Sequence, residues 1–216
     1  MLARPAAIVL AGGGSTRMGE DKANLDLDGQ PLLAHVLARV AERCDPIVVA
    51  ARPGQTLPAV AGLEPVRIDD PVADAGPLVG LAQALAWLAA RGVSEAYLGS
   101  CDAAGLSRTH LDFVLDRLAR ARAERGAIAV VPVDADGRRH PLASAVAVAP
   151  MSTRASSLLA AGRGRLQALF DPGDDGPIVE VPVAELPDPE ALRPCNTPDE
   201  WRAWLERLSR RSAGPR

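Results

Sequence analysis

The sequence predicts an α/β fold in which helices cover both faces of a mostly parallel sheet. Short apolar runs alternate with longer amphipathic segments through about the first 130 residues, which is the pattern of parallel strands joined by helices. A turn signal at Asp136-Gly137 then separates two apolar stretches and predicts one late antiparallel element. Neither an internal repeat nor a long linker divides the chain, so we expect a single domain over residues 1–208 and a flexible tail over 209–216.

The predicted strands are short and mostly apolar on both faces, as buried strands of a parallel sheet are. The first contains no polar residue and leads into a glycine-rich loop that reaches residue 27. Asp69-Asp70-Pro71 ends the third strand, and Cys101-Asp102 follows the fourth. In chain order the predicted strands are 6–11, 47–51, 66–68, 96–100, 127–133, 141–148 and 178–183.

Helices are predicted where apolar residues recur every three to four positions behind a start signal. Pro31 opens the first helix after a turn signal at Asp28-Gly29, and Gly76-Pro77 precedes the second. Ser107 is a suitable N-cap for the third, and Thr197-Pro198 begins the last. In chain order the predicted helices are 31–43, 78–91, 108–124, 155–161, 164–170 and 197–208.

The composition argues against several classes of function. The net charge is −3 and charges of both signs are mixed along the chain, whereas a nucleic-acid binder would show a basic face. No apolar run approaches the ~20 residues of a membrane span, and the N-terminal run ends in a glycine loop followed by charges, unlike a signal peptide. Cys44, Cys101 and Cys195 match no zinc or disulfide spacing. We therefore expect a cytoplasmic protein that binds neither nucleic acid nor a membrane.

The glycine-rich loop after the first strand is the strongest functional signal. Gly12-Gly13-Gly14 leaves backbone N–H groups bare at the edge of the sheet, where phosphate can be cradled. Arg17 and Lys22 add two cations, which suits a nucleoside triphosphate. Lys22 is the single lysine in a chain with 23 arginines, which indicates a position that needs a compact ammonium, although codon bias and chance can also leave one lysine. The spacing matches neither the dinucleotide-binding motif nor the P-loop.

Candidate ligand-binding residues fall at the carboxyl ends of three predicted strands. They are Gly12-Gly13-Gly14, Asp70 and Asp102. In open α/β sheets, ligands bind beyond the carboxyl ends of the strands, at the point where the strand order reverses. We therefore expect these three features to converge on one edge of the sheet.

The stretch from Leu10 to Ala23 reads L-A-G-G-G-S-T-R-M-G-E-D-K-A. It strongly resembles the signature of molybdenum cofactor guanylyltransferases, within the MobA-like NTP transferase family. Three later stretches agree with that family: G-P-L-V-G-L at 76–81, C-D at 101–102 and C-N-T-P-D-E at 195–200. The matches run from residue 6 to about residue 205, nearly the whole chain. The resemblance implies a three-layer, Rossmann-like nucleotidyltransferase domain.

The resemblance also implies a reaction. The terminal phosphate of molybdenum-molybdopterin would attack the α-phosphate of GTP, giving the guanine dinucleotide form of the cofactor and pyrophosphate. No protein nucleophile is needed, because the attacking phosphate is already anionic and catalysis rests on positioning and charge neutralisation. The family implies Mg²⁺ as cofactor and GTP and the molybdopterin cofactor as substrates, with cofactor-delivery and molybdoenzyme chaperone proteins as candidate partners.

The family's site residues carry over by motif. Asp102 would bind Mg²⁺, and Lys22 and Arg17 would complete the catalytic set on the triphosphate. Asp70 matches the acid that contacts the guanosine. By the same resemblance, GTP binding would involve Leu10, Ala11, Gly12, Gly13, Lys22, Asp70 and Asp102. Acceptor binding would involve Arg139, His140 and Asn196, with Arg138 beside them.

Each of these residues also has a structural interpretation. Asp102 could cap the loop that follows it, and Asp70 could close a turn before Pro71. Arg17 could be a solvated loop residue. Residues 138–140 could form a solvated hairpin edge rather than meet an anionic pterin phosphate.

Three positions depart from the family pattern. Ala51 precedes Arg52 where the family usually has Asn. Ala103-Ala104 follows Asp102 where Thr-Pro or a similar pair is usual, and Cys195 stands where another Asn is frequent. The last two lie where the acceptor should bind. A related cytidylyltransferase or sugar-phosphate nucleotidyltransferase, or a non-catalytic nucleotide- or cofactor-binding protein, therefore stays open.

The remaining candidates for chemistry are assigned to packing. Cys101 has no partner base nearby in sequence, so we expect a small buried apolar residue rather than a nucleophile. His35 lies within a predicted helix and His110 at the start of another, and both are expected at the surface or in packing contacts.

Overall fold

A computed structural model describes residues 4–12, 21–27, 29–70, 76–192, 200, 202–204 and 206. Within these residues, seven strands form one sheet and two very short strands form a separate ribbon. In chain order the strands are β1 (Ala6–Leu10), β2 (Asp26–Leu27), β3 (Gln30–Pro31), β4 (Ile47–Ala51), β5 (Val66–Asp69), β6 (Glu95–Ser100), β7 (Ala129–Val133), β8 (Ser144–Ala147) and β9 (Ile178–Pro182).

The helices lie between the strands in the alternation that the sequence predicts. Those in the described part of the chain are α1 (Leu32–Ala41), α2 (Pro77–Ala89), α3 (Arg108–Arg125) and α4 (Val148–Ala160). Short 3-10 turns cover Lys22–Asn24, Pro141–Ala143, Leu166–Phe170, Val183–Glu185 and Pro189–Leu192. None of the helices in these ranges combines the length and the apolar character that a membrane span requires.

The order of strands in the large sheet is β5-β4-β1-β6-β8-β7-β9. β1 pairs in parallel with β4 on one side and β6 on the other, so the strand order reverses at β1. β8 is antiparallel to both of its neighbours, β6 and β7, while β7 and β9 are parallel. The predicted α/β class, a mostly parallel sheet with one late antiparallel element, is confirmed.

The sheet separates two apolar cores, one on each face. Alternate residues of β1 enter different cores: Ala7 and Val9 face the side of α1 and α3, whereas Ile8 faces the side of α2 and α4. All five residues of β1 are buried, which explains why the first strand lacks polar residues. The three-layer arrangement therefore follows from strands that are apolar on both faces.

Several predicted boundaries are confirmed closely. The strand at 47–51 is Ile47–Ala51 as predicted. Ser107 caps α3, since its side chain accepts a hydrogen bond from the backbone N–H of His110 at 3.2 Å. At the other end of α3, Gly126 has a φ of 68°, the left-handed conformation that glycine adopts readily at a helix C-terminus.

Two predictions in the later half of the chain are wrong. The predicted strand 141–148 is a strand only over Ser144–Ala147, because a 3-10 turn precedes it and α4 begins at Val148. α4 starts before the predicted helix 155–161, since Pro150 falls in the first turn, where a missing N–H costs nothing. The predicted helical segment 164–170 is a 3-10 helix over Leu166–Phe170. The ribbon of β2 and β3 was not predicted, although its turn at Gly29 was.

The predicted final helix is described only in part. Residues 200, 202–204 and 206 are helical. The rest of 197–208, and the predicted tail 209–216, lie outside the described residues.

Candidate active site

The carboxyl ends of β1, β4, β5 and β6 meet at one edge of the sheet, as predicted. The backbone pairing continues one residue beyond each strand. The N–H of Ala11 donates to the carbonyl of Ala50 at 2.8 Å, and the N–H of Asp70 donates to that of Ala51 at 2.9 Å. The N–H of Cys101 donates to the carbonyl of Leu10 at 3.0 Å. These bonds bring Gly12, Asp70 and Asp102 to the reversal point of the strand order, where ligands bind in such sheets.

Lys22 and Asp102 form an ion pair at this edge. Lys22 Nζ lies 3.2 Å from Asp102 Oδ2, and the two side chains are 18% and 19% exposed. Asp102 Oδ1 accepts a hydrogen bond from Ser100 Oγ at 2.6 Å. Within the described residues, the Asp102 carboxylate thus accepts from Ser100 and Lys22 and not from a backbone N–H of the loop behind it. This contact pattern favours a site residue over a loop cap.

Ser100 is a site residue that sequence reasoning missed. It is the last residue of β6 and lies two positions before Asp102, so a polar side chain at the carboxyl end of the strand was the available signal. Its hydroxyl orients the carboxylate that faces Lys22.

Asp21 anchors the turn that carries Lys22. Its Oδ1 accepts a hydrogen bond from the backbone N–H of Ala23 at 3.1 Å, which caps the 3-10 turn Lys22–Asn24. Its Oδ2 lies 2.9 Å from the guanidinium of Arg52, at the end of β4. The position of Lys22 is therefore tied to a neighbouring strand through the residue that precedes it.

Asp70 lies against two glycines. A Cβ on Gly80 would overlap Asp70 Oδ1, and a Cβ on Gly12 would lie 3.2 Å from Asp70 Oδ2. In the described part of the chain, the buried Oδ1 has no hydrogen-bond partner. Burial, followed by the charge of Asp69, raises the pKa of Asp70. Because Oδ1 is enclosed against Gly80, a ligand contact of Asp70 would use Oδ2, which lies beside Gly12. The alternative turn at Pro71 lies outside the described residues.

A cleft of about 380 Å³ opens beside Asp102. Its lining includes Ser100, Asp102 and Ala103 from the end of β6, and Arg138, Arg139 and His140 from the connection between β7 and β8. The structure therefore places two of the residues predicted to bind the acceptor in the same cleft as the carboxylate predicted to act on the nucleotide.

The three basic residues that line the cleft differ in how their charge is compensated. Arg139 donates to Glu180 Oε1 at 2.6 Å and lies 3.4 Å from Asp171 Oδ1. His140 Nε2 lies 2.9 Å from Asp134 Oδ2, although the angle does not make a hydrogen bond. Arg138 is exposed, and no carboxylate among the described residues pairs with it. Arg138 is therefore the better placed of the three to meet an anion.

The departures from the family pattern have structural consequences. Ala103 and Ala104 are buried. Next to them, a Cβ on Gly105 would overlap the carbonyl oxygen of Glu190, so this loop packs tightly against the turn Pro189–Leu192. Two residues of that turn help line the cleft. Small residues after Asp102 thus allow a distant segment to shape the cleft.

The residues assigned to packing lie in apolar surroundings. Burial raises the pKa of Cys101 to about 12, so its thiol is protonated at neutral pH. His110 is fully buried, its Nε2 lies 3.0 Å from the carbonyl of Ala143, and its ring meets Tyr97 edge-on at 6.1 Å. Burial lowers the pKa of both His110 and His35. These residues contribute to the fold rather than to the cleft.

Several residues named from the sequence cannot be placed. Gly13, Arg17, Cys195 and Asn196 lie outside the described residues. Their assignments remain predictions. Leu10, Ala11 and Gly12 lie at the end of β1, where the backbone N–H and C=O of Ala11 already have partners in Ala50 and Gln55.

The fold and this edge are those of an open α/β protein with a ligand site at the carboxyl ends of its parallel strands. The family model of the MobA-like NTP transferase domain matches residues 7–175. The chain belongs to this family.

Curated relatives agree in sequence over most of their length. The chain is 38% identical over 183 residues to "Probable molybdenum cofactor guanylyltransferase" of Mycobacterium marinum, covering 84% of this chain and 86% of the relative. It is 36% identical over 200 residues to a protein of the same name from Mycobacterium avium, covering 92% and 93%.

Solved structures show the same fold. Molybdopterin-guanine dinucleotide biosynthesis protein A from Archaeoglobus fulgidus superposes with a TM-score of 0.72 at 19% identity, covering 95% of this chain and 99% of that one. The 2-C-methyl-D-erythritol 4-phosphate cytidylyltransferase of Thermus thermophilus superposes with a TM-score of 0.64 at 18% identity, covering 96% and 99%. The same fold thus occurs in a protein named for guanine dinucleotide biosynthesis and in one named as a cytidylyltransferase.

Proposed function

We propose that this protein transfers GMP from GTP to the terminal phosphate of molybdenum-molybdopterin, releasing pyrophosphate. The observation that carries the proposal is the ion pair between Lys22 Nζ and Asp102 Oδ2, 3.2 Å apart at the reversal point of the sheet and beside the cleft. Membership of the MobA-like family and the printed names of relatives at 36–38% identity support the same activity.

The chemistry requires a new bond from the acceptor's phosphate oxygen to the α-phosphorus of GTP. The bond between that phosphorus and the α–β bridging oxygen breaks, and its electrons leave with pyrophosphate. Cys101 is not needed as a nucleophile and is protonated at neutral pH. In this proposal Lys22 contacts the triphosphate and neutralises charge that develops on the leaving group.

We include Mg²⁺ in the proposal on the donor chemistry of Asp102. A carboxylate oxygen is a ligand that Mg²⁺ prefers, and Asp102 is held by Ser100 at the edge of the cleft. Among the described residues, no group of three or more His, Cys, Asp or Glu side chains could hold a metal alone. The residues therefore fit an ion that takes most of its ligands from phosphate and water. When bound, Mg²⁺ would neutralise charge on the phosphates.

For the discussion of the two substrates, the donor side is defined as Gly12, Lys22, Asp70 and Asp102. The acceptor side is defined as Arg138, Arg139 and His140. Both sides reach the same cleft through Asp102. The geometry thus allows two anionic substrates to meet at one carboxylate and its lysine.

The location and partners of the protein belong to the same proposal. Cys44 and Cys101 are free buried thiols, which supports the reducing cytoplasm. Cofactor-delivery and molybdoenzyme chaperone proteins are proposed partners because the product is a cofactor that other proteins use.

The direct test is to incubate purified protein with GTP, Mg²⁺ and molybdenum-loaded molybdopterin. We expect one pyrophosphate per guanine dinucleotide formed, measured by chromatography and a coupled pyrophosphate assay. Omission of Mg²⁺ should remove turnover. A protein that transferred CMP from CTP, or that used a sugar phosphate as acceptor, would contradict the proposal.

A cytidylyltransferase is the second candidate, because a structural neighbour carries that name on the same fold. Calorimetric titration with GTP, ATP, CTP and UTP separates the two functions. Guanylyl transfer predicts that GTP binds most tightly, whereas a preference for CTP would favour the second candidate.

A further inference from the structure

We infer that Gln55 is a positioning residue that sets the place of Lys22 relative to the end of β1. This inference rests on the proposed function. Gln55 lies in the loop between β4 and β5, and its side chain belongs to no motif that sequence reasoning singled out. Its side chain is 7% exposed and is one of few buried polar side chains among the described residues.

The side-chain amide of Gln55 bridges the residues on both sides of the segment 13–20. Its Nε2 donates to the carbonyl oxygen of Ala11 at 3.0 Å and to Asp21 Oδ2 at 2.8 Å. Ala11 follows β1, and Asp21 precedes Lys22. One side chain therefore ties the end of the central strand to the residue before the lysine.

The orientation of this amide is determined by its neighbours. Nε2 faces two acceptors, whereas Oε1 accepts a hydrogen bond from the backbone N–H of Arg52 at 3.0 Å. Exchanging Nε2 and Oε1 would place an acceptor against two acceptors. A neutral amide supplies two donors and one acceptor here without the cost of burying a charge.

The backbone of Gln55 is held as well. Its N–H donates to the carbonyl of Arg52 at 3.1 Å, and its own carbonyl accepts from Arg67 at 2.7 Å. The guanidinium of Arg67, on β5, also donates to the carbonyl of Arg52 at 3.2 Å. The bridging side chain therefore projects from a turn that hydrogen bonds to β5 and to the end of β4 hold in place. It can thus fix Asp21 relative to these two strands.

The path from Gln55 to the ion pair is short. Gln55 and Arg52 both donate to Asp21 Oδ2, while Oδ1 of the same carboxylate caps the turn of Lys22. The side chain of Lys22 then reaches Asp102. Loss of the amide would leave the Asp21 carboxylate with two of its three hydrogen-bond donors. It would also remove the hydrogen bond to the carbonyl oxygen of Ala11, and with it the link between Ala11 and Asp21. Because transfer depends on the placement of cations at the phosphates, a shift of this turn should lower the rate without removing any group that touches substrate.

The test compares two substitutions of Gln55 with the same substitutions of Gln83. Gln55→Met keeps the length of the side chain but removes its hydrogen bonds, and Gln55→Glu puts a carboxylate against Asp21. Gln83 is a half-exposed residue of α2, and its side chain makes no hydrogen bond with another residue in the described ranges. Gln83→Met and Gln83→Glu should behave as wild type.

We expect Gln55→Met to lower kcat/KM for GTP about 30-fold, through both a higher KM for GTP and a lower kcat, with the KM for the acceptor within about twofold. Gln55→Glu should lower kcat/KM for GTP further at pH 8. It should recover part of this loss toward pH 6, because a protonated carboxyl can again donate one hydrogen bond. The ratio of kcat/KM for GTP in Gln55→Met to that in the wild type should not change with pH over the same range. Thermal unfolding of every variant identifies loss of the fold.

Three results would overturn the inference. One is activity of both Gln55 variants equal to that of the Gln83 variants. Another is a fall in kcat alone with an unchanged KM for GTP and a lowered Tm, which would indicate a smaller folded fraction. The third is an equal rise in the KM values of both substrates.

Calorimetry with GTP and Mg²⁺ separates failure of the inference from failure of the proposed function. If wild type binds GTP but makes no dinucleotide, the proposed function fails, and the Kd for GTP of the Gln55 variants still decides the inference. Weaker binding than in the Gln83 variants supports it, and equal binding overturns it. If wild type binds no GTP, both fail.

Discussion

The donor side and the acceptor side of the cleft differ in how their charged groups are held. On the donor side, Lys22 and Asp102 pair with each other, and Asp21 and Gln55 fix the turn that carries the lysine. On the acceptor side, Arg139 is held by Glu180 and Asp171, and His140 lies beside Asp134. On the donor side two predicted site residues, Lys22 and Asp102, thus contact each other directly. On the acceptor side Arg139 and His140 instead face acidic residues that no sequence motif singled out.

This difference follows from the strands that supply each side. The donor side stands on four neighbouring parallel strands, whose carboxyl ends lie side by side. The acceptor side stands on the connection between β7 and the antiparallel strand β8, with a 3-10 turn at Pro141–Ala143. Substitutions on the donor side should therefore lower turnover most. On the acceptor side, some substitutions should raise the KM for the acceptor and others should lower Tm.

The largest effect is expected at Lys22 and Asp102. Asp102→Asn and Lys22→Met should each lower turnover about 10³-fold, because each removes a charge that is preorganised at the phosphates. Lys22→Arg should not restore activity, since a planar guanidinium cannot take the place of a compact ammonium. Steady-state kinetics measures the loss.

Asp116→Asn is the matched control, because this carboxylate lies on the exposed surface of α3 and pairs with Arg43. It should keep wild-type turnover. A Tm close to wild type would show that the site variants fold, and activity of Asp102→Asn near that of Asp116→Asn would remove Asp102 from the mechanism.

A smaller loss is expected at Asp70, with opposite effects on binding and stability. Asp70→Asn should weaken nucleotide binding about tenfold, because a charged hydrogen-bond acceptor is lost. Burial raises the pKa of this carboxyl, so its ionised form costs stability above the ordinary value of 3.8. The free energy of unfolding should therefore rise in Asp70→Asn at pH 7, and the gain should vanish as the pH falls below that value.

Calorimetry and urea unfolding at pH 7 and pH 3.5 check this prediction. Asp116→Asn serves as the control here too, because that carboxylate is exposed and pairs with Arg43 on a different part of the surface. A lower stability of Asp70→Asn at pH 7 would contradict the role given to burial.

Substitutions of Arg138 and Arg139 on the acceptor side should have different effects. Arg138→Ala should raise the KM for the acceptor about fivefold with Tm unchanged, since its charge has no carboxylate partner in the described part of the chain. Arg139→Ala should mainly lower Tm, because Glu180 and Asp171 lose their shared cation. Acceptor titrations at saturating GTP, together with thermal unfolding, distinguish the two. The reverse pattern would make Arg139 the acceptor contact.

The smallest effect is expected at Cys101. Burial raises the pKa of its thiol to about 12, and no step of the proposed reaction uses it. Cys101→Ala should keep kcat within about twofold and lower Tm slightly through lost packing. A large fall in kcat with an intact fold would assign the thiol a catalytic role. Thiol-directed alkylation of the native protein should also be slow at neutral pH.

Much of the fold could be predicted because its elements are local patterns. The strand 47–51 and the cap at Ser107 are read from a few adjacent residues, and the structure confirms them. The predicted helix 155–161 began too late, because α4 begins at Val148 and has Pro150 in its first turn, where proline is tolerated. The strand 141–148 was too long because apolar runs do not distinguish a strand from the beginning of a buried helix.

The candidate site could be predicted in part for the same reason. Lys22 and Asp102 each stand in a recognisable stretch near the end of a strand, and the structure brings them together as expected. Ser100 and Gln55 stand in no such stretch, because their importance lies in what they contact across the fold. The roles of Arg17 and Asn196 stay predictions.

The amino-acid order alone settled which residues could carry chemistry here: a glycine loop after an apolar strand, a single lysine, and acids at strand ends. Only the tertiary structure decided which of these charges meet. Lys22 and Asp102 are 80 residues apart and become partners because β1 and β6 pair. The same packing encloses Arg139 between two acids and leaves Arg138 facing the cleft. Charge compensation depends on distances of a few ångströms between elements far apart in the chain, and no local pattern encodes those distances.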